Sequence, residues 1–256
     1  MITIRLCGGL GNQLFQWALG LAFESRGRNV KYDVSQLDAD AGRRYLLGDF
    51  GWNLNVVREN APVTFQEKSL LYDPEVLELK EGVLQGYWQN EKYFKEHELY
   101  IRGMLFKHTN FSPLTLATAK RIFELGDQSC FVHIRRTDNL RLTSTLYHGL
   151  TDPMSIYYEN SWARIVSEVG QGVHFFIFSN DADFVNNSMQ PHEGVFTVVH
   201  HNAPSFTEDA AHNLHKTDEG REVEDLWLMS LCRHAIIANS TFSWWGAWLN
   251  QHESDE

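Results

Sequence analysis

Residues 2–7 are mostly apolar and rich in branched side chains, and Gly8, Gly9 and Gly11 follow. The chain then changes to helical spacing, with Leu14, Phe15, Ala18, Leu21 and Ala22 recurring over residues 12–25. A second strand pattern at 29–33 comes after a short Gly-containing link, so the chain opens as strand, glycine turn, helix, strand. Residues 36–79 show no period that places an element. Beyond them the pattern predicts a strand at 83–88, a short helix at 91–97 and a longer helix at 113–125.

The alternation then resumes. A strand at 130–134 is followed by a helix from Pro153, where Asp152 supplies a cap acceptor ahead of the imino acid favoured at the first helical position. Strands at 174–178 and 195–199, a helix at 222–232, a strand at 235–238 and a helix from Ser243 complete the pattern. This is the α/β class. Residues 200–221 are polar, with charges of both signs, and read as a loop at a ligand edge. Ligands of open α/β sheets bind beyond the carboxyl ends of the strands. Polar clusters stand at three such places, 133–138, 179–181 and 239–241.

A length of 256 residues allows one large domain or two small ones, and 43% hydrophobic with 21% charged residues is the composition of an ordinary globular protein. The net charge of -11 argues against a general nucleic-acid binder, which needs a basic face. An anionic ligand must therefore meet a local group of cations. The first residues lack the pattern of a signal peptide, and the apolar stretches are too short or interrupted to span a bilayer. The expectation is a cytoplasmic protein, with peripheral association at the inner face of the cell membrane compatible with it. Cys7, Cys130 and Cys232 are odd in number and lie in or beside apolar segments, as reduced buried thiols do. His212 and His215 could share a helical face and a metal, but no further ligand has suitable spacing.

Arg135 and Arg136 leave the end of a predicted strand. A guanidinium offers a planar fork of donors that fits phosphate oxygens and stays charged when partly buried; the alternative is a salt bridge to a nearby carboxylate. Gly9, Gly11 and Asn12 sit between strand and helix, where bare amides and the helix dipole meet an anion or a sugar oxygen. Their spacing is neither the Rossmann fingerprint nor a P-loop, and a tight strand-to-helix turn explains them equally. Ser240, Thr241, Phe242 and Ser243 offer hydroxyls and amides at another such junction, where capping is the simpler role. Trp244 and Trp248 share a helical face and read as core. Asp181-Ala182-Asp183 has the form of a carboxylate pair that holds a metal on nucleotide-sugars, yet the same triplet recurs at 38–40 with no strand before it.

Taken together, residues 5–16, 86–94, 133–138, 178–181 and 225–250 resemble the α-1,2-fucosyltransferase family (glycosyltransferase family 11) in its anchor-free bacterial form. The block 239–249, Asn-Ser-Thr-Phe-Ser-Trp-Trp-Gly-Ala-Trp-Leu, is the most specific of these. The resemblance implies a GT-B architecture of two Rossmann-like domains facing a cleft, 1–110 on the acceptor side and 111–256 binding the donor. It implies inverting transfer of L-fucose from GDP-β-L-fucose to the 2-hydroxyl of a terminal galactoside, in surface glycan or O-antigen synthesis, without metal or other cofactor. Fucose transfer with α-1,6 or α-1,3 linkage is the nearest alternative. The chain stops soon after its last helix where relatives continue, so an impaired GDP-sugar-binding module is a further one.

The resemblance sets Arg135 against the β-phosphate, His133 and Asp225 at guanine, and residues 240–243 around the diphosphate. Gly9, Gly11, Asn12, Arg136, Asn180 and Asp181, from the polar clusters after the strands, are further candidates for the donor site. Asp138 and His148 are the candidates for the base that deprotonates the acceptor. Trp88, Gln89 and Tyr93 are candidates for the acceptor cleft, with core packing of the two aromatics as the alternative.

Overall fold

The computed structural model describes residues 1–39, 43–136, 155–188, 195–200, 202, 206–208, 214–216 and 221–250. The chain divides into two units, Met1–Asn110 and Phe111–Glu256. In the first, β1 (Ile2–Arg5), β2 (Val30–Asp33), β3 (Val56–Val57), β4 (Phe65–Gln66) and β5 (Gly82–Gln85) form one sheet in the order β3-β2-β1-β5-β4. Every pairing in it is parallel. All four residues of β1 are buried, which is why it reads as a continuous apolar run and not as an alternation. Helix α1 (Leu10–Glu24) is buried on most sides, Gln13 and Gln16 included.

The region left without a period holds α2 (Ser35–Ala39), a 3₁₀ turn at Leu47–Phe50 and the two-residue strands β3 and β4. The expected helix at 91–97 is two 3₁₀ pieces, Glu91–Tyr93 and Lys95–His97, leading into α3 (Glu98–Met104). The strand expected to reach residue 88 ends at Gln85, because Trp88 takes φ of +57°, which no strand accommodates.

In the second unit β6 (Ser129–Ile134), β7 (His174–Ser179), β8 (Val195–Val198) and β11 (His234–Ile236) form a parallel sheet in the order β11-β6-β7-β8. Alternate residues of its central strands face opposite layers. Val132, Ile134, Phe175 and Ile177 pack with Tyr158 and Trp162 of α5 (Ile156–Val169). Phe131, Phe176 and Phe178 pack with Ile122 of α4 (Pro113–Leu125) and Leu228 and Met229 of α7 (Glu222–Leu231). Trp162 stacks on Phe175 with ring centroids 3.7 Å apart. Helix α6 (Ala182–Ser188) follows β7, and α8 (Thr241–Leu249) follows β11.

Two expectations change here. Residues 200–221 are not loop throughout: β9 (Phe206–Glu208) and β10 (Leu214–Lys216) pair antiparallel. His215 therefore lies on a strand, with no helical face to share; His212 lies outside the described residues. The helix expected from Pro153 begins at Ile156 with Ser155 at its cap position, while Asp152 and Pro153 lie outside the described residues.

The chain is thus α/β, with two Rossmann-like parallel-sheet units, the composition that a GT-B transferase requires. No helix of the described residues is long and apolar enough to cross a membrane.

Candidate functional site

The carboxyl edge of the second unit's sheet is set by register. Ile134 of β6 stands beside Ser179 of β7, so the segments leaving these strands are neighbours. The Arg136 amide donates to Asn180 Oδ1 at 2.8 Å, and its guanidinium Nε donates to Asp181 Oδ2 at 3.0 Å. The same guanidinium lies 3.3 Å from the ring centroid of Phe184. Arg136 is thereby held on three sides, and the resulting frame fixes where the neighbouring Arg135, half-buried, leaves the strand. Asp181 is itself oriented, its amide donating to Ser179 Oγ at 3.0 Å. His133 is buried on β6, its carbonyl accepts from Tyr158 Oη at 2.8 Å, and its ring meets Phe242 edge-on at 5.5 Å.

Beyond β11 the chain enters α8 through Ser240, whose side chain accepts from the Phe242 amide at 3.3 Å. Ser243 is fully buried, and its hydroxyl donates back to the carbonyls of Ala238 and Ser240. Ser240 and Ser243 thus shape this helix start, while Thr241 and Phe242 remain half-buried. The fully buried tryptophan of α8 is Trp245; Trp244 and Trp248, read as core, are half-buried and stack on each other at 6.1 Å.

Asp225 lies in the first turn of α7 and is buried. Asn202 Nδ2 donates to its Oδ1 at 3.0 Å. Burial, with smaller contributions from Glu222 and Glu224, outweighs that bond and pushes the carboxyl up to about 8. Glu224 behaves oppositely. Burial pushes its carboxyl up, but bonds from Thr115, Ser112 and Arg221 hold it below the usual range. Ser112 Oγ donates to Glu224 Oε2 at 2.8 Å and Arg221 Nη1 to Oε1 at 3.0 Å, which ties the starts of α4 and α7 together.

In the first unit the glycine turn is pinned by two glutamines of α1. Gln13 donates to the carbonyls of Gly8 and Arg44 at 3.0 and 2.9 Å and accepts from the Leu46 amide at 2.9 Å. Gln16 accepts from the Cys7 amide at 3.1 Å and donates to the Gly86 carbonyl at 2.9 Å. Gly9 caps α1, and Gly11 is buried in its first turn. Gly8 has φ of +74°, and a Cβ there would stand 2.3 Å from Asn12 Nδ2. Asn12 Oδ1 accepts from Gln89 Nε2 at 3.0 Å. Trp88 and Tyr93 are both buried and meet edge-on at 6.0 Å, as the packing alternative has it. Tyr93 Oη accepts from the Asp73 amide.

Residues 80–255 match the model of glycosyl transferase family 11, more than half of the chain. Over 99% of its length the chain is 30% identical to an alpha-1,2-colitosyltransferase of Escherichia coli, covering 89% of that protein. The chain belongs to glycosyltransferase family 11. A second relative in the same organism, the O-antigen biosynthesis glycosyltransferase WbnK, is 27% identical over 97% of this chain and 90% of its own. A solved structure of the alpha-1,6-fucosyltransferase NodZ soaked with GDP-fucose aligns over 97% of this chain and 92% of that one, at 13% identity and a TM-score of 0.45.

For this family 11 glycosyltransferase, the structure brings His133, Arg136, Asn180, Asp181 and Phe242 together at one sheet edge, and Asn12 with Gln89 at the other unit's. Asp225 is bonded to Asn202 in a separate cluster. Asp138 and His148 lie outside the described residues. The carboxylate pair behaves as two unlike residues: Asp181 is ion-paired to Arg136, and the Asp183 side chain is 95% exposed, with His200 3.7 Å away. Among the described residues no group of three His, Cys, Asp or Glu side chains is placed to hold a metal.

Sequence reasoning missed Gln13, Gln16, Asn202 and Phe184, and also Glu67, which accepts from the Tyr87 and Trp88 amides. The glutamines carried a signal, since an amide at a buried helical position must bond to something. Glu67 and Asn202 carried none, because their partners are distant in sequence.

Proposed function

We propose that this glycosyltransferase moves L-fucose from GDP-β-L-fucose to the 2-hydroxyl of a terminal galactoside, with inversion, in building a surface glycan such as an O-antigen. The observation that carries the reading is the engaged state of Arg136, buttressed by Asp181 and Phe184 at the end of β6. A strand end fixed in this way holds its arginine pair in place, as an anion-binding edge requires. On the family resemblance Arg135 binds the β-phosphate, with Arg136 as the buttress of the same segment. Residues 111–256 bind the nucleotide-sugar and residues 1–110 the acceptor.

As the fucosyl bond breaks, negative charge grows on the departing diphosphate and positive charge on the ring. A guanidinium aimed at the β-phosphate stabilises that state more than the ground state, and this supplies what a metal would otherwise do. His133 and Asp225 recognise the base. Asp138 or His148 takes the acceptor proton. The 30% identity to an alpha-1,2-colitosyltransferase favours a second donor of the same class, a GDP-linked colitose, with the same linkage.

The test is incubation with GDP-L-fucose or GDP-colitose and a panel of galactosides, with and without chelator, followed by linkage determination of the product. The reading expects an α-1,2 product from one of the two donors and no loss on chelation. An α-1,6 or α-1,3 product, or donor binding without transfer, contradicts it.

A further inference from the structure

The turn after β5 holds a backbone conformation that packing alone does not require. Trp88 is fully buried with φ of +57°, the left-handed region that bulky side chains avoid. Its indole Nε1 is buried with no acceptor among the described residues. Several groups hold this arrangement. Glu67 grips two successive amides with its two oxygens, Oε2 accepting from Tyr87 at 2.7 Å and Oε1 from Trp88 at 3.1 Å. The Trp88 carbonyl accepts from the Asn90 amide at 2.7 Å. Gly86 is required beside this clamp, since a Cβ there would stand 2.4 Å from Glu67 Cβ and 2.9 Å from Trp88 Cε2.

Backbone strain that its surroundings over-determine in this way marks ligand sites. Here it places Tyr87, 44% exposed, and the half-buried Gln89 on either side of a buried residue. Gln89 is joined to Asn12 of the glycine turn at 3.0 Å, at the carboxyl edge of the first sheet. An accessible aromatic ring beside a pair of side-chain amides suits a sugar, whose C–H face lies on the ring while its hydroxyls exchange bonds with the amides.

We propose that Tyr87 and the Asn12–Gln89 pair contact the acceptor sugar, and that Glu67 is the positioning residue that sets their geometry. This rests on the reading of the chain as a sugar transferase whose first unit binds the acceptor. Glutamine in place of Glu67 keeps the shape but offers one acceptor for two amides and turns an NH₂ group toward one of them.

The experiment measures initial rates against acceptor concentration at saturating donor, and against donor at saturating acceptor. It uses the wild type and the variants Tyr87→Ala, Glu67→Gln and Tyr100→Ala, the last an exposed control on α3. Tyr87→Ala and Glu67→Gln each raise the acceptor KM about tenfold, the loss of one to two hydrogen-bond equivalents, while the donor KM moves less than about twofold. Tyr100→Ala changes nothing. A wild-type acceptor KM in both Tyr87→Ala and Glu67→Gln overturns the inference, even if Glu67→Gln melts at lower temperature. So does a fall in kcat with both KM values moving together. A wild type that transfers from no donor sinks the functional reading and takes this inference with it. A wild type that transfers, with indifferent variants, sinks this inference alone.

Discussion

At the carboxyl edge of the first sheet the glycine turn is pinned by side-chain amides, beside Glu67 and a buried ion pair of Arg5 with Asp33 at the strand ends: Gln13 bonds three backbone groups, Gln16 joins the β1 and β5 turns, and Gln89 meets Asn12. At the corresponding edge of the second sheet the fixing groups are charged, with Arg136 on Asp181 and Phe184, and Glu224 on Ser112, Thr115 and Arg221. The difference matches the proposal that the first edge binds an acceptor sugar and the second a nucleotide-sugar. Amides offer both donors and acceptors and suit a neutral polyhydroxyl ligand, whereas a diphosphate on a chain of net charge -11 needs cations fixed locally. Neutral pins in a buried place also lose little to salt, while a partly exposed ion pair is screened. The sequence-similar stretches occupy both edges.

The sharpest way to break this comparison is to exchange the arginines' roles. Arg135→Lys is expected to lower kcat by about 100-fold or more, because a point charge does not replace a fork aimed at the leaving phosphate. Arg136→Lys should cost less in rate and show as a lower melting temperature, since it loses the stack on Phe184 and the fixed bond to Asp181. Steady-state rates and melting curves on both variants read this directly; equal rate losses would erase the division of labour.

Asp225 sharpens the same side through pH. The folded carboxyl holds its proton up to about 8, while the unfolded one releases it near 3.8. Between these values the folded state binds more protons, so stability falls as pH rises through the window. Asp225→Asn cannot titrate and should flatten that slope, which melting temperatures from pH 4 to 8 will show. An unchanged slope would remove Asp225 as its source.

On the amide side, Gln13→Ala leaves three backbone groups, one buried and two part-buried, without this partner and should cost about 3 kcal/mol in a denaturation series. Gly86→Ala should cost about 2 kcal/mol by overpacking against Glu67. The smallest effect is that of chelation, where the account expects the transfer rate to stay unchanged with EDTA, read in the same assay.

Much of this was legible beforehand, and the limits have physical causes. The parallel strands and α4 announced themselves because buried strands are continuous apolar runs and Ser112-Pro113 is a strong helix start. The arginine pair was legible because its position after a strand is a local feature. Strands β3 and β4 were not, since two residues carry no period, and β9 and β10 hid in a polar stretch. The left-handed Trp88 was equally hidden. A tryptophan between Tyr87 and Gln89 continues a strand pattern, and Glu67, 21 residues away, is among the groups that hold it otherwise. The buttress of Arg136 also depends on Asp181, 45 residues on.

The most direct test of the central claim is a crystal structure of this protein soaked with guanosine diphosphate. The account predicts the Arg135 guanidinium within hydrogen-bonding reach of the β-phosphate oxygens, with Arg136 still on Asp181 and Phe184. A β-phosphate bound by Arg136 released from Asp181, or by a metal ion with Arg135 turned away, would contradict it.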